Sequence, residues 1–409
     1  MTSKATVLRL LLSSALLMAL AGCEREDGQF VNADWHRKDL NAHLARWVAV
    51  APTPSGLMLG QFDRNWQPQK GASGDLTIHS RVVYAMIVGY EATGDQRYAD
   101  AARRGADFML QYFRDPQFGG FYQHVDAAGK LVDNSKNTYS HAFAVLALSH
   151  MARVTGEERY KQAALTAWRD IRSKLRDADG GFVANASREF APASGLRTQN
   201  PVMHMFEALL ALVEATGDPG ALEDARSVGN FVLYKLMVGL PGGGAYIPEW
   251  YDAQWKPLAT ADQGAYIDIG HQFEWSHLLR TAERRGLPPM FADVGDRLLK
   301  YAIANGYDET SGGIFNRIFP DGSVDRHKYW WQQAEAMRAF MAVGQRPEMA
   351  RRYQQTLELV DHEMLDRDHG GWRLGAKRTC DDGLCGDLQP EPYHLVGLDV
   401  TALSMASTQ

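Results

Sequence analysis

The sequence predicts an all-α protein built as an (α/α)6 barrel, a closed ring of six helical hairpins. Three observations support this prediction: a helix–turn–helix pattern repeats along the chain, Gly-Gly pairs recur at a regular spacing, and the composition suits a large buried core. The chain has 409 residues, of which 45% are hydrophobic and 22% charged. These values are typical of a globular protein and argue against disorder.

The repeat is visible in three segments, which begin at Tyr90, Met151 and Leu212. Each reads as a helix, a T-G-D or T-G-E turn, a second helix and a Gly-Gly loop, with apolar residues at helical spacing. Gly-Gly pairs fall at Gly119, Gly180, Gly243, Gly312 and Gly370. One unit is therefore about 60 residues long, which accommodates two helices and two loops.

Repeated helical hairpins cannot bury their apolar faces alone and must stack on their neighbours. Such a stack ends either as an open solenoid or as a closed ring. About six units fit the chain and none has the polar face of a capping repeat, which favours the ring. Nothing after about residue 35 resembles a linker, so we expect one domain over residues 35–409.

The first 22 residues are typical of a signal peptide, with basic residues, an apolar run too short to span a membrane, and then small residues. The run ends in L-A-G-C at Cys23, which resembles the lipobox of bacterial lipoproteins. The resemblance implies cleavage before Cys23, lipidation of its thiol and a tether over residues 23–34. Glu24, where an Asp would signal retention, indicates a periplasmic protein anchored to the outer membrane. An ordinary secreted protein with a chance cysteine is the alternative.

Two more cysteines and the net charge bear on other partners. Cys380 and Cys385 are expected to form a disulfide that closes a small loop, because the periplasm is oxidising. A metal site would need more soft ligands than these two. The net charge of -6 and the lack of a basic run give no support to nucleic acid as a partner.

Two H-x-x-E pairs occupy otherwise apolar helices: His204 with Glu207, and His271 with Glu274. Residues three apart share a helix face, and one helix of each hairpin lines the interior of such a ring. Buried titratable groups are costly unless they are paired or have a task. The pairs are therefore predicted to face a central pocket, where histidine supplies acid/base chemistry near neutral pH.

Other residues are candidates for the same pocket because together they offer stacking surfaces, cations and hydrogen-bonding groups, as sugar sites do. They are Arg81, Tyr139, Asn200, Lys328, Trp331, Glu335 and His394. The H-x-x-E order reverses the di-iron pattern and no H-E-x-x-H occurs, so no metal is expected. For each residue a structural role is the alternative, and we expect His79, His141 and His277 to play no part in the site.

Four motifs, NPVMHMFEALLALVEATGD, GHQFEWSHLL, KYWWQQAEA and PYH, resemble those of the N-acylglucosamine 2-epimerase family, and the similarity covers about residues 35 to 400. That family includes sugar 2-epimerases, aldose–ketose isomerases and cellobiose 2-epimerases on an (α/α)6 barrel. The resemblance implies that an open-chain aldose loses its C2 proton to form a cis-enediolate, without cofactor or metal. Return of a proton to C2 from the opposite face gives the epimer, and delivery to C1 gives the ketose.

The resemblance also implies roles for individual residues. His271 and His394 would be the acid/base pair, His204 would assist ring opening, and Glu274 would orient His271 or a sugar hydroxyl. Arg81 would stabilise the enediolate oxygen. The remaining candidates would bind the substrate: Asn200, Tyr139, Trp331, Glu207, Glu335 and Lys328. The chain departs from the family at Gln389, where a W-K-G-P-Y-H-like run has tryptophan, and it carries an additional acid at Glu391.

Two other functions stay open on the sequence alone. A polysaccharide hydrolase or lyase on a similar barrel would draw two carboxyl groups from Glu207, Glu274 and Glu335, but the histidines would then lack a role. A non-catalytic carbohydrate-binding lipoprotein would fit the expected location and the change at Gln389. The sequence names neither the sugar nor the product.

Overall fold

The computed structural model describes residues 30–69, 74–193, 195–344, 346–379 and 388–407. The predicted signal peptide, Cys23, Cys380 and Cys385 lie outside these residues, so lipidation and the disulfide stay predictions. Within the described ranges, none of the helices combines the length and the apolar character that a membrane span requires.

The described residues form twelve α-helices, and three of the helices continue into π-helical turns. In chain order the helices are α1 (Ala33–Val50), α2 (Leu76–Thr93), α3 (Gln96–Phe108), α4 (Thr138–Thr155), α5 (Glu158–Lys174), α6 (Gln199–Thr216), α7 (Pro219–Phe231), α8 (Ile269–Arg284), α9 (Met290–Gly306), α10 (Trp330–Ala342), α11 (Pro347–Leu359) and α12 (Tyr393–Ser407). The π-helical turns follow α3, α7 and α11, at Met109–Phe113, Val232–Leu236 and Val360–Met364. Two 3-10 turns occupy Ala261–Gln263 and Lys377–Thr379.

The even-numbered helices line the inside of a ring and the odd-numbered helices form its outer layer. Each inner helix packs on the inner helices of the neighbouring hairpins, and the ring closes because α12 packs against both α10 and α2. The N-terminal helix α1 covers α12 from outside, so the two ends of the chain make the sixth hairpin. The predicted (α/α)6 barrel is thus confirmed. Helix α1 begins two residues before the predicted start of the domain.

The T-G-D and T-G-E motifs form the tight turns of the first three hairpins, as predicted. Helices α2, α4 and α6 end at Gly94, Gly156 and Gly217, each with a left-handed backbone (φ 74°, 70° and 63°), which glycine adopts without steric cost. Asp95 and Asp218 then cap the following helices through their side chains.

The loops at the other end of the ring carry short antiparallel strands that the sequence analysis did not predict. The pairs are β1 (Gly74–Asp75) with β2 (His124–Val125), β2 with β3 (Leu131–Asp133), β4 (Lys136–Asn137) with β5 (Asn185–Ala186), β6 (Arg197–Thr198) with β9 (Trp250–Tyr251), β7 (Val238–Gly239) with β8 (Ala245–Tyr246), β10 (Ile267–Asp268) with β11 (Arg317–Ile318), and β11 with β12 (Val324–Asp325). Strands β1, β4, β6 and β10 each lead directly into an inner helix and tie its start to the loop after the next outer helix. The inner helices therefore begin at one end of the ring, which we call the mouth.

A side-chain clamp at the fourth residue of four inner helices fastens these loops. His79 and His141 each accept a hydrogen bond from a backbone N–H, of Met58 and Phe121, and donate to a backbone carbonyl. At the same position in α8 and α10 a glutamine bonds to both backbone groups of one loop residue, in the pairs Gln272–Ile247 and Gln333–Ile314. The expectation that His79 and His141 are structural agrees with this geometry.

Candidate active site

The mouth of the ring brings most of the predicted residues together through a continuous chain of contacts. They are Arg81 on α2, Tyr139 on α4, Asn200, His204 and Glu207 on α6, His271 and Glu274 on α8, Trp331 and Glu335 on α10, and His394 on α12. Tyr139, Asn200, His271, Trp331 and His394 lie in the first turn of their inner helices, where the helix dipole carries partial positive charge, and the others lie one to two turns further along. Such an environment favours negative charge on a bound molecule.

His271 is held by a carboxylate that the sequence analysis missed. Its Nδ1 lies 2.8 Å from Oε2 of Glu249, and Gln199 Nε2 donates to the same oxygen at 2.8 Å. Burial disfavours the imidazolium, but Glu249 and Asp268 outweigh burial and raise the pKa of His271 to about 10. Nδ1 of His271 also lies 2.8 Å from Nε2 of Gln199, which donates to Glu249. With a pKa of about 10 the imidazolium donates from Nδ1 to Glu249, and Nε2 forms no hydrogen bond with any described residue.

His394 is held in the same way by Glu335. Its Nδ1 lies 2.8 Å from Oε1 of Glu335, while Oε2 of that carboxylate is 2.6 Å from Nε2 of His277. Arg338 donates to both oxygens, at 3.0 and 3.1 Å. Although burial alone would raise the pKa of Glu335, Arg338 and the two histidines hold it well below its ordinary value. Glu335 is fully buried and its oxygens are used by these partners, so it orients His394 instead of contacting substrate as predicted.

Trp331 stands between the two histidines. Its ring centroid is 5.0 Å from that of His271 and 5.4 Å from that of His394. Because both imidazoles use Nδ1 for a carboxylate, their Nε2 atoms remain available. The result is an aromatic surface flanked by two acid/base groups.

His204 and Glu207 form the hydrogen-bonded pair that their spacing predicts, with Nδ1 of His204 3.2 Å from Oε2 of Glu207. The Tyr393 hydroxyl donates to the same oxygen. Burial lowers the pKa of His204 to about 4, despite the neighbouring Glu207, so His204 is neutral near pH 7. Tyr139 and Phe143 pack on its ring, with centroids 5.1 and 4.6 Å away.

Glu274 is buried and neither of its carboxyl oxygens has a hydrogen-bond partner among the described residues. Its Oε1 lies 3.9 Å from Nδ1 of His204, and no hydrogen bond joins it to His271. The predicted orientation of His271 by Glu274 is therefore wrong for this structure, since Glu249 fills that position. Burial, with Glu335 next, raises the pKa of Glu274 well above its ordinary value. This shift favours the protonated carboxyl, which can both donate to and accept from a ligand hydroxyl.

Arg81 lies in an aromatic cage at the opposite side of the pocket. Its guanidinium carbon is 4.1 Å from the ring centroid of Phe143 and 5.1 Å from that of Tyr393. One arm donates to Glu391 at 2.9 Å and the other to the Tyr139 hydroxyl. The added acid Glu391 is thus paired directly with the cation predicted to stabilise the enediolate.

Two other predicted residues differ in their surroundings. Asn200 is partly exposed, and its Oδ1 has no hydrogen-bond partner among the described residues. Lys328 is 2% exposed, and its ammonium donates to Asp308, Ser311 and the carbonyl of Gly312 at 2.6–2.8 Å. These bonds use the three donors of an ammonium group, so the predicted substrate-binding role of Lys328 is not supported.

Gln389, at the position of the family tryptophan, is turned into the loops. The residue is 5% exposed. Its side-chain nitrogen donates to the carbonyls of Arg64 and Gly370 at 3.0 and 3.3 Å. The side chain therefore links two loops at the mouth in place of offering a stacking surface.

Several site residues escaped the sequence analysis. Arg338 lies three residues after Glu335, so the spacing rule that found the H-x-x-E pairs also fits it. The expectation that His277 plays no part in the site is wrong, because its Nε2 lies 2.6 Å from Oε2 of Glu335, the carboxylate that orients His394. Glu249 and Gln199 offered no such signal. Glu249 lies in a loop between α7 and α8, and the β6–β9 strand pair brings it beside Gln199.

Two groups in the pocket have possible metal-ligand atoms within 4.8 Å of one another: His204, Glu207 and Glu274, and Glu274, Glu335 and His394. Nδ1 of His204 is already bonded to Glu207, and Glu335 is saturated by His277, His394 and Arg338. A metal ion would have to displace these bonds, so the donor sets fit paired acid/base residues better than a metal centre.

Comparison with known proteins agrees with this geometry. Residues 58–397 match the N-acylglucosamine 2-epimerase (GlcNAc 2-epimerase) family. A cellobiose 2-epimerase of Bacteroides fragilis is 25% identical over 361 residues, covering 83% of this chain and 88% of its own. A D-mannose isomerase of Thermobifida fusca is 28% identical over 346 residues, covering 80% of this chain and 83% of its own.

Solved structures support the architecture. A D-mannose isomerase superposes with a TM-score of 0.82 at 21% identity, covering 94% of this chain and all of its own. An α-1,6-mannanase from Salegentibacter is a more distant barrel, with a TM-score of 0.62 at 14% identity over 91% of this chain and 100% of its own. At these identities the likeness establishes the fold alone. The family match over most of the chain establishes more: this protein belongs to the N-acylglucosamine 2-epimerase family and is a carbohydrate epimerase or isomerase.

Proposed function

We propose that the protein is a 2-epimerase or aldose–ketose isomerase that acts on a free reducing sugar through a cis-enediolate, with His271 and His394 as acid/base catalysts. One observation carries the proposal. Two imidazoles flank the Trp331 ring, each oriented by a carboxylate through Nδ1 and each with Nε2 free of described partners. A sugar bound against the edge of the indole would lie between the two histidines, with one histidine at each face of C2.

The proton transfers follow from this arrangement. In one direction neutral His394 takes the C2 proton, the C–H electron pair forms the C1=C2 double bond, and the C1 carbonyl oxygen becomes the enediolate oxygen. Arg81 and the starts of the inner helices stabilise that charge. Protonated His271 then gives its proton to C2 from the other face and the C1 carbonyl reforms. In the reverse reaction the two histidines exchange roles. Delivery of a proton to C1 instead of C2, with transfer of the O2 proton to O1, gives the ketose.

The remaining pocket residues have proposed roles in binding and ring opening. His204 is neutral, so it can assist proton transfer between the ring oxygen and the anomeric hydroxyl. Glu274 and Asn200 carry unpaired polar atoms at the pocket, and we assign them to sugar hydroxyls. Tyr139 and Trp331 supply the aromatic contact surfaces.

The test is proton NMR in D2O on the purified protein with free glucose, mannose, cellobiose, N-acetylglucosamine and N-acetylmannosamine. We expect deuterium to replace the C2 proton of at least one sugar, and His271→Ala and His394→Ala each to abolish epimer formation, because each removes the acid/base group at one face of C2. His141→Gln is the matched control, because it alters a buried histidine outside the pocket and should leave exchange intact. Folded protein that exchanges none of these sugars would contradict the proposal.

The polysaccharide-acting alternative makes a different prediction. A hydrolase or lyase would release product from an oligosaccharide whose reducing end has been blocked by borohydride reduction, whereas an enediolate mechanism requires a free anomeric carbon. A non-catalytic binding protein would retain sugar binding in His271→Ala and His394→Ala and would exchange no proton.

We also propose, from the N-terminal sequence, that the protein is a periplasmic lipoprotein anchored to the outer membrane through Cys23. Cys23→Ser should move the protein from the membrane fraction to the soluble fraction, and Cys380→Ser should not. Maleimide labelling before and after reduction tests the proposed Cys380–Cys385 disulfide in the same preparation. Labelling of both thiols without reduction would contradict it.

A further inference from the structure

A second group of titratable side chains lies away from the pocket, where the first and last helices of the ring meet. Asp39 and His43 lie one turn apart on α1, and Asp399 extends towards them from α12. Their ligand atoms lie within 4.8 Å of one another. Asp399 is fully buried, His43 is 3% exposed, and the Asp39 side chain is 10% exposed. We call these three residues the seam cluster.

Two polar atoms of the seam cluster have no hydrogen-bond partner among the described residues, although both are shielded from solvent. They are Nδ1 of His43 and Oδ2 of Asp399. Nδ1 of His43 is 3.4 Å from Oδ2 of Asp39, but the two do not form a hydrogen bond. Buried polar atoms are almost always paired, so two unpaired atoms in one cluster indicate a missing partner.

The cluster also lacks a cation. Within the described part of the chain, the ion pairs of Asp39 and Asp399 involve only histidines, His43 and His36. The buried aspartates of the Gly-Gly loops differ, because Asp115, Asp308 and Asp366 each contact a lysine or an arginine.

Outer partners orient both carboxylates. The indole Nε1 of Trp372 donates to Oδ2 of Asp39 at 2.9 Å. Nδ1 of His36 lies 2.7 Å from Oδ1 of Asp399, and its Nε2 lies 2.6 Å from the Tyr353 hydroxyl. Ligands of bound metals are typically held by such a surrounding shell, and here that shell leaves Oδ2 of Asp399 free.

We propose that Asp39, His43 and Asp399 bind one zinc ion that fastens α1 to α12 and so closes the ring. One imidazole and two carboxylates are donors that zinc accepts, and a 3.4 Å separation of His43 Nδ1 from Asp39 Oδ2 suits two ligands of a tetrahedral ion with bonds of about 2.0–2.2 Å. Calcium would require about six to eight oxygen ligands. Two carboxylates balance the charge of the ion, and water completes the fourth position.

The test uses the full chain, purified without a histidine tag and freed of metal with a chelator. Zinc chloride titrated against a chromophoric competitor should show one tightly bound equivalent, and cobalt(II) should give the intense visible bands of a tetrahedral site. His43→Ala and Asp399→Asn should weaken zinc binding by more than about 100-fold, the upper end of the loss expected for an outer-shell change. Zinc should also raise the Tm of the unmodified protein and leave the Tm of these variants unchanged.

Matched variants separate the seam cluster from other candidate ligands. His369→Ala alters the group at Asp366, Asp368 and His369, and His204→Ala alters the pocket group; both should keep the zinc equivalent. Loss of zinc in either variant, with retention in His43→Ala, would overturn the proposal. The absence of a tight zinc equivalent or of tetrahedral cobalt bands in the unmodified protein would also overturn the proposal. That outcome does not depend on the folding of any variant, and it does not bear on the proposed sugar chemistry.

Discussion

Nδ1 of His271 lies 2.8 Å from Oε2 of Glu249, a loop residue that also accepts hydrogen bonds from Gln199 and Thr198. This carboxylate, with Asp268, outweighs the effect of burial and raises the pKa of His271 to about 10. His271 is thus an imidazolium near pH 7 in the ligand-free protein. Of the two proposed catalysts it is the one prepared to donate a proton first.

Glu249→Gln should lower the pKa of His271, because it removes the nearest negative charge while keeping the shape of the side chain. We expect a decrease of about 1–3 units, the usual effect of one close opposite charge, measured by ¹H–¹⁵N NMR of the histidine ring. The alkaline limb of kcat/KM should move to lower pH by the same amount. Glu335→Gln is the control. Glu335 contacts His394, so this substitution should change the pKa of His271 much less. An unchanged His271 titration in Glu249→Gln would refute this account.

Glu391→Gln should raise kcat. The carboxylate of Glu391 accepts from Arg81 at 2.9 Å, so it offsets the positive charge proposed to stabilise the enediolate. A neutral amide keeps an acceptor for the backbone N–H of Tyr393 and removes the countercharge. We expect an increase of roughly tenfold, about 1.4 kcal/mol in the barrier, in steady-state assays. Glu91→Gln, whose partner is Arg153, should have no effect, and a fall in kcat for Glu391→Gln would instead give Glu391 a direct part in catalysis.

The fold was predictable because its signals are local and repeated. The T-G-D turn places a left-handed glycine and then an aspartate cap at the same point of the first and third hairpins, and apolar periodicity marks the helices between. The strands at the mouth, each two or three residues long, carry no comparable signal, because period-2 alternation needs at least about four residues to be recognised. Their existence depends on the ring bringing each loop against the next hairpin.

The site was predictable where helical spacing reports which residues share a face. His204 with Glu207 follows that rule. Glu249 does not, since its loop reaches His271 through the β6–β9 pair and a backbone hydrogen bond from Glu249 to Tyr266, and neither follows a helical spacing. Lys328 was misassigned for a related reason. A lysine beside an aromatic motif suggests a pocket, but its ammonium is paired with Asp308, which lies 20 positions earlier in the sequence.

Lys328→Met should destabilise the protein without impairing sugar binding. The substitution leaves the carboxylate of Asp308 without its ammonium partner, and breaking a buried ion pair in this way costs about 3–5 kcal/mol. Urea unfolding measures the loss, and KM for the sugar identified by deuterium exchange should stay unchanged. Lys136→Met is the comparison variant, because Lys136 contacts Asp115 in another hairpin, but Asp115 keeps Arg188 as a partner and this variant should therefore show a smaller loss. A large rise in KM for Lys328→Met alone would restore its predicted role in the pocket.

His141→Gln should make the protein more resistant to acid. Burial lowers the pKa of His141 to about 4 in the folded protein, whereas an unfolded histidine titrates near 6.5. Between these pH values the unfolded chain binds the proton and the folded protein does not, so stability falls as the pH decreases from 6.5 to 4, by about 3 kcal/mol for this group. Glutamine fills the same clamp position in α8 and α10 and does not titrate. The free energy of unfolding in urea should therefore decrease less between pH 7 and pH 4.5 in His141→Gln than in the unmodified protein. An equal decrease in both proteins would show that the buried His141 is not the source of the acid sensitivity.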